Sequence, residues 1–101
     1  MSPRRNIGED AVAAQVGRNL ARCRRRAGKS QQETANLADM HRTHIRLIER
    51  GERLPQVDTV IKLAAALEIS AAELWQGIEW RRGTKERTGG FRVSDSSTRG
   101  D

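Results

Sequence analysis

Three polar side chains between positions 42 and 46 have the types and the spacing needed to recognise DNA bases. Arg42, Thr43 and Arg46 are one and four residues apart, which aligns them along one edge of a helix. Ile45 and Ile48 fall on the other side of that helix. An arginine can bond O6 and N7 of guanine together, and a threonine can contact a thymine methyl group or a polar base edge. The trio therefore predicts base recognition, and phosphate contact without recognition is the alternative for the two arginines.

The chain around these side chains contains two short helical patterns joined by a three-residue turn. The first covers roughly residues 31–38 and follows a capping box formed by Ser30 and Glu33. The second covers roughly residues 42–50 and precedes Gly51, the residue type most common just past a helix end. Such a pair, with a polar and basic outer face on the second helix, is typical of a helix-turn-helix that enters a DNA major groove.

The charge of the chain favours a polyanionic partner. There are 19 basic and 13 acidic residues, a formal net charge of +6. Residues 18–53 carry ten basic and four acidic side chains, whereas residues 54–79 carry one lysine and four acidic side chains. The positive field is therefore expected on the half of the protein that contains the two-helix pattern.

The composition leaves room for one small domain. Of 101 residues, 36% are hydrophobic and only 3% aromatic, so the core must be aliphatic and a roomy enzyme cleft is hard to build. The sequence has no Gly-rich phosphate loop and no nucleophile–base pair. His41 and His44 lack the further ligands that a metal site requires, and Cys23 falls on an apolar helix face. We therefore predict no enzyme, no metal site and no cofactor, with Cys23 as a buried thiol.

Five helices are predicted to build the domain, which places it in the all-α class. Helix one is expected from about Asp10 to Ala27, with an inner face made of Val12, Val16, Leu20, Cys23 and Ala27. Helix four covers roughly residues 57–67, with an inner face made of Val57, Val60, Ile61, Ala64 and Leu67. Helix five begins at a second capping box in residues 70–73 and is predicted to bury Leu74, Trp75 and Ile78.

Composition also sets the boundaries of the domain. Residues 1–9 are interpreted as a flexible lead-in, residues 10–79 as the folded domain and residues 80–101 as a basic tail. Where the tail begins, hydrophobic residues alternate on either side of a glycine pair: Ile78 and Trp80 before it, Phe91 and Val93 after it. This alternation allows a small hairpin, and a mobile tail is the alternative.

From about residue 16 to residue 76 the chain resembles the Cro and lambda-repressor-like, or XRE-type, helix-turn-helix regulators. The resemblance rests on the following residues: Arg24, Gly28-Lys29-Ser30-Gln31, Ala35, Met40, Ile45, Ile48-Glu49-Arg50-Gly51, Pro55, Leu63-Ala64, Leu67 and Leu74. The stretch His41-Arg42-Thr43 also resembles the small controller proteins of restriction–modification systems. Asp39 stands at the turn where the family usually has glycine, and aspartate tolerates the left-handed conformation better than most residues.

Several side chains around the two helices are predicted to bind DNA phosphates. Gln31 lies in the first turn of helix two, where free N–H groups and the helix dipole attract anions, and the resemblance implies the same role. The other phosphate candidates are Lys29, His41, His44, Arg50 and Arg53. His41 is alternatively a cap of helix three, and a solvated surface group is the alternative for Gln31, Arg50 and Arg53.

Two further sets of residues are expected to support the fold and its assembly. The resemblance implies an ion pair between Glu49 and Arg24 that holds helix three against helix one. Trp75, Ile78 and Trp80 cluster after the core helices, so they either close the bottom of the core or form a dimer face.

These features favour a sequence-specific DNA-binding transcriptional regulator, a repressor or autoregulator of bacterial, plasmid or phage origin. It is expected to bind a two-fold operator as a homodimer, with helix three in the major groove. An antitoxin, which would bind a toxin protein, and a restriction–modification controller are the alternatives. With no long apolar run or signal peptide and a single cysteine, we predict no membrane contact and a place in the bacterial cytoplasm, associated with the nucleoid.

Overall fold

The computed structural model describes residues 7–94. These residues form a mostly helical fold with a small two-stranded sheet. In chain order the elements are α1 (Ile7–Arg26), α2 (Gln31–Ala38), α3 (Arg42–Glu49), α4 (Val57–Leu67), a 3-10 turn (Ala71–Trp75), β1 (Ile78–Arg81) and β2 (Gly90–Val93).

Helix α1 is the longest element and contacts α3, the 3-10 turn and β2. Acidic residues in its first turn and arginines in its last turn complement the helix dipole. The helix begins at Ile7, three residues before the predicted start, so residues 7–9 are helical and do not belong to the predicted lead-in. The remainder of that lead-in lies outside the described residues. Ala27 follows the helix and is exposed, contrary to its predicted place on the inner face.

The core lies where α1 to α4 and the 3-10 turn meet. Its largest fully buried apolar side chains are Leu20, Ile45, Ile48, Leu63 and Leu74. Cys23 is buried as well, and this burial raises the pKa of its thiol above the ordinary value.

The predicted inner face of α4 is wrong at two positions. Val57 and Ile61 are 76% and 59% exposed, while Leu63 and Ala66 are buried beside Val60, Ala64 and Leu67. Helix α4 is apolar on most of its circumference, so the helical period alone does not decide which stripe faces the core.

The predicted fifth helix is a single 3-10 turn of five residues, so residues 7–94 contain four α-helices and not the predicted five. The Ser70 hydroxyl accepts a hydrogen bond from the Ala72 N–H at 3.3 Å. The Glu73 carboxylate accepts one from the Arg26 guanidinium at 2.6 Å, so it is held by α1. Leu74 is buried as predicted, but about half of the Trp75 side chain is exposed.

After the 3-10 turn the chain forms the hairpin that was one of the two alternatives for the tail. Strands β1 and β2 pair antiparallel, with Ile78 opposite Val93 and Trp80 opposite Phe91. Gly77 precedes β1 with a φ of +85°, and a Cβ there would lie 2.2 Å from the Ser94 carbonyl oxygen, so only glycine fits. The fold is thus not purely α-helical. Residues 95–101 of the predicted tail lie outside the described part of the chain.

A buried polar cluster on α1 holds the start of this hairpin. Asn19 is fully buried, and its Nδ2 donates to the carbonyl oxygens of Leu74 at 3.1 Å and Gln76 at 3.0 Å. Its Oδ1 accepts hydrogen bonds from Gln15 and Arg22 at 2.9 Å each. Because buried amides must be hydrogen-bonded, this arrangement fixes the path of the chain from the core into β1.

On another side of α1, Arg24 holds α3 through an ion pair with Glu49. The Arg24 Nε and Nη2 atoms lie 2.6 and 3.1 Å from the two carboxylate oxygens, and the side chains are only 12% and 8% exposed. The helices approach closely here, since a Cβ at Gly17 would lie 2.4 Å from the Ile48 carbonyl oxygen. The ion pair therefore fixes the orientation of α3 relative to α1.

Replacing Glu49 is expected to destabilise the fold much more than replacing Glu52, which forms an exposed pair with Arg50. Glu49→Ala leaves a largely buried guanidinium without its carboxylate, a loss of about 3 kcal/mol. Glu52→Ala removes an interaction worth less than about 1 kcal/mol. Thermal unfolding should show a fall in Tm on the order of 10 °C for Glu49→Ala and a much smaller one for Glu52→Ala. Equal Tm values would contradict this role of the ion pair.

Candidate nucleic-acid interface

A capping box fixes the start of α2. The Ser30 hydroxyl accepts a hydrogen bond from the Glu33 N–H at 2.9 Å, and the Glu33 carboxylate accepts one from the Ser30 N–H at 2.8 Å. The hydrogen bond from the Ser30 N–H, followed in weight by the interaction of the carboxylate with the Ser30 hydroxyl, holds the pKa of the Glu33 carboxyl below its ordinary value. Gln31, the first residue of α2, is therefore held in a defined backbone position.

The turn between α2 and α3 depends on Asp39. This residue adopts the left-handed conformation with φ 57° and ψ 50°, and the following Met40 N–H donates to the Ala35 carbonyl oxygen at 2.8 Å. Aspartate is one of the few residues other than glycine that takes this conformation readily. The turn is formed without the glycine that the family usually has at this position.

Helix α3 separates an apolar inner face from a polar outer edge. Ile45 and Ile48 are fully buried, whereas Arg42, Thr43 and Arg46 are exposed. Within residues 7–94, none of these three polar side chains forms a hydrogen bond or an ion pair. Their donors are consequently available to a partner outside the chain.

Gln31 lies close to the end of α3. Its side-chain Nε2 donates to the Glu49 carboxylate at 3.1 Å, and Glu49 is at the same time paired with Arg24. The hydrogen bonds to Glu49 raise the pKa of the Arg24 guanidinium above its ordinary value. The other Nη atom of Arg24 donates to the Lys29 carbonyl oxygen at 2.9 Å, so the connection between α1 and α2 is part of the same network.

The two histidines differ in their surroundings. His41 is the N-cap residue of α3, but its side chain accepts no capping hydrogen bond. His44 is partly buried, and with Arg53, Gln56 and Thr59 it lines a shallow pocket beside the loop between α3 and α4. Burial, together with the positive charge of Arg53, lowers the pKa of His44 below its ordinary value.

The two arginines that follow α3 also differ. The Arg50 guanidinium lies 2.8 Å from the Glu52 carboxylate in an exposed ion pair, which the sequence did not indicate. Arg53 is exposed and forms no ion pair with another residue of the 7–94 segment. The positive charge of Arg50 is therefore partly offset by the Glu52 carboxylate. The charge of Arg53 is not offset by an ion pair within residues 7–94.

Helix α1 carries an arginine stripe that was not among the predicted site residues. Arg18, Arg22 and Arg25 border a groove of about 480 Å³ together with Ala21 and Glu49. The sequence signal was available, because residues four and three apart on a helix share one face. Part of the positive charge of residues 18–53 is thus carried by α1.

Two of the three candidates for a dimer face, Trp75 and Ile78, line the same apolar groove. Ile78 also packs against the core, and Trp80 packs edge-on against Phe91 with ring centroids 5.0 Å apart. The apolar groove has a volume of about 270 Å³, and its lining includes Leu54, Pro55, Val57, Ile61, Trp75 and Ile78. Leu54 also lies beside Phe91 in an adjoining pocket, so the groove and the hairpin aromatics share one side of the molecule.

Residues 7–94 contain no group of three or more His, Cys, Asp or Glu side chains arranged to hold a metal ion. None of the helices in the same segment has the length and hydropathy needed to cross a membrane.

Comparison with known proteins agrees with this arrangement. The profile of the HTH_3 helix-turn-helix family matches residues 20–74, more than half of the chain. The uncharacterized HTH-type transcriptional regulator y4dJ of Sinorhizobium fredii is 41% identical over 59 residues, which cover 58% of this chain and 77% of that protein.

Solved structures are similar over the same part of the chain. The restriction–modification controller protein C.AhdI of Aeromonas hydrophila is 34% identical with a TM-score of 0.62, over 63% of this chain and 97% of that one. An HTH_3 family transcriptional regulator of Vibrio cholerae is 30% identical with a TM-score of 0.63, over 65% of this chain and 37% of that one. The chain belongs to the HTH_3 family of XRE-type helix-turn-helix proteins, whose members are DNA-binding transcriptional regulators and not enzymes.

Proposed function

We propose that this protein is a sequence-specific regulator that binds a two-fold operator as a homodimer, with α3 in the major groove. The observation that carries the proposal is the outer edge of α3. Arg42, Thr43 and Arg46 are exposed and have no partner within residues 7–94, while the inner face of the same helix is fully buried. A rigid helix that presents unpaired guanidinium and hydroxyl groups is suited to the donor and acceptor pattern of base edges.

We assign the phosphate contacts to the side chains around α3. Gln31 would bind at the start of α2, where N–H groups and the helix dipole favour an anion. Arg50 would exchange its exposed contact with Glu52 for a phosphate, at little cost because surface pairs are weak. Lys29, His41, His44 and Arg53 complete the proposed set.

We assign the dimer face to the apolar groove and the hairpin aromatics beside it. Six of the seven large hydrophobic side chains that are exposed in residues 7–94 lie in this region: Leu54, Val57, Ile61, Trp75, Trp80 and Phe91. A contiguous apolar surface of this kind usually marks a protein interface. A second copy of the chain is the proposed occupant, since a symmetric dimer would present two copies of α3 to successive major grooves.

The similarity to C.AhdI, which is a restriction–modification controller protein, supports a role as such a controller for this protein. We infer repression or autoregulation as the mode of action, in the cytoplasm at the bacterial nucleoid. A promoter fusion to the gene's own upstream region tests this: co-expression of the protein should change reporter output. A restriction endonuclease gene next to this gene would favour the controller role, whereas a toxin gene there would favour the antitoxin alternative.

Operator binding should depend strongly on salt. Lys29, Arg50 and Arg53 give about six ionic phosphate contacts in the proposed dimer, and the release of bound counterions then gives a slope of log K against log salt of about −4 or steeper. Fluorescence anisotropy of a labelled duplex between low and moderate salt measures this slope. A slope near zero would mean that the basic half of the protein does not face DNA.

Arg42 and Arg50 should differ in what they contribute to binding. Arg42→Ala should weaken binding to the preferred operator by about 1–3 kcal/mol and relax selectivity at one base pair. Arg50→Ala should weaken binding to all sequences alike, because a phosphate contact carries no base information. Selection of bound sequences from a random DNA pool with each variant measures both effects. Identical sequence profiles for the two variants would show that the assigned roles are wrong.

Charge in the apolar groove should reduce dimer formation. Ile61 on α4 and Leu37 on α2 are both 59% exposed, so lysine at either position should leave the fold intact. Ile61→Lys should lower the dimer mass in sedimentation velocity and weaken operator binding, whereas Leu37→Lys should leave the dimer mass unchanged. Trp80→Ala should act like Ile61→Lys without loss of the helical circular-dichroism signal. A dimer mass that survives both groove-side variants would place the interface elsewhere.

A further inference from the structure

Glu49 connects three elements through one carboxylate. Its Oε2 accepts a hydrogen bond from the Arg24 Nε of α1 at 2.6 Å. Its Oε1 accepts two, from the Arg24 Nη2 at 3.1 Å and from the Gln31 Nε2 of α2 at 3.1 Å. An ion pair that only held α3 against α1 would not involve Gln31, so this third hydrogen bond requires its own explanation.

We propose that Glu49 is a positioning residue for the contact between Gln31 and a DNA phosphate. The inference rests on the phosphate role proposed for Gln31. In the proposed arrangement, the Glu49 carboxylate holds one N–H of the Gln31 amide. The second N–H of the same group remains free for the phosphate at the start of α2. Glu49 does not touch the DNA itself.

The chemistry of the carboxylate determines which end of the amide faces it. An ionised carboxylate only accepts hydrogen bonds, so the Gln31 amide must turn its NH₂ group, not its oxygen, toward Glu49. The NH₂ group has two protons, and Glu49 uses one of them. Because the side chain is already ordered in the free protein, less rotamer freedom is lost when DNA binds.

Arg24 makes this arrangement compatible with an anionic partner. A lone carboxylate beside a phosphate site would repel the DNA, but the bidentate guanidinium neutralises it. Arg24 also donates to the Lys29 carbonyl oxygen at 2.9 Å, which holds the segment just before the α2 N-terminus in place. The network therefore orients the Gln31 amide at a point where the local net charge is close to zero.

A double-mutant cycle on operator affinity tests the coupling, at a temperature where circular dichroism shows every variant to be folded. In the wild-type background, Gln31→Ala should weaken binding about fivefold or more. In the Glu49→Ala background, the same change should weaken binding less than about twofold, because the amide is no longer oriented. Gln32→Ala is the matched control: Gln32 bonds Asn36 and not Glu49, so its effect should be equal in both backgrounds.

The outcomes separate this inference from the proposed function. If Gln31→Ala weakens binding equally in both backgrounds, Glu49 is only structural and the inference is overturned, while the phosphate role of Gln31 stands. If Gln31→Ala has no effect even in the wild-type background, both are overturned.

A second measurement needs neither DNA nor the Glu49 variant, which matters if Glu49→Ala does not fold. Side-chain NMR relaxation of the free wild-type protein should show the Gln31 amide to be more ordered than that of Gln56. Gln56 is exposed and has no side-chain hydrogen bond within residues 7–94. Equal mobility of the two amides would overturn the inference.

Discussion

The bidentate ion pair between Arg24 and Glu49 is the interaction on which the candidate DNA-binding surface depends. It joins the last turn of α1 to the last residue of α3 in a setting that is largely closed to solvent. Removing either partner would leave a costly buried charge, so the two helices keep one relative orientation. The outer edge of α3, with Arg42, Thr43 and Arg46, takes its direction from this contact.

Helix α1 supports two different surfaces through polar side chains on its flanks. Arg24 fixes α3 and the start of α2, while the buried Asn19 fixes the carbonyl groups that lead into the hairpin. The apolar core lies between these two sets of contacts. Side chains of one helix, α1, thus hold both the element that carries Arg42, Thr43 and Arg46 and the hairpin beside the proposed dimer face, which suits a protein that must present two copies of α3 at a fixed separation.

The features that the sequence predicted well have local causes. The limits of α2 and α3 follow from the capping box at Ser30 and from Gly51, and those signals lie within a few residues of the helix ends. The features it missed depend on distant partners or on ambiguous patterns. Glu73 bonds Arg26 of α1, α4 is apolar on several sides, and the hydrogen bond between Gln31 and Glu49 spans 18 residues. Contacts between distant residues form only when the elements pack together, so no local sequence signal indicates them.

We propose above all that α3 and the start of α2 form the DNA-binding surface. Backbone amide NMR shifts of the ¹⁵N-labelled 101-residue chain, followed as a duplex selected from a random pool is added, test this most directly. We expect the largest changes at residues 30–33 and 42–50, and small changes at the hairpin tip, residues 82–89. Large changes confined to the hairpin or the apolar groove, with α3 unaffected, would contradict it.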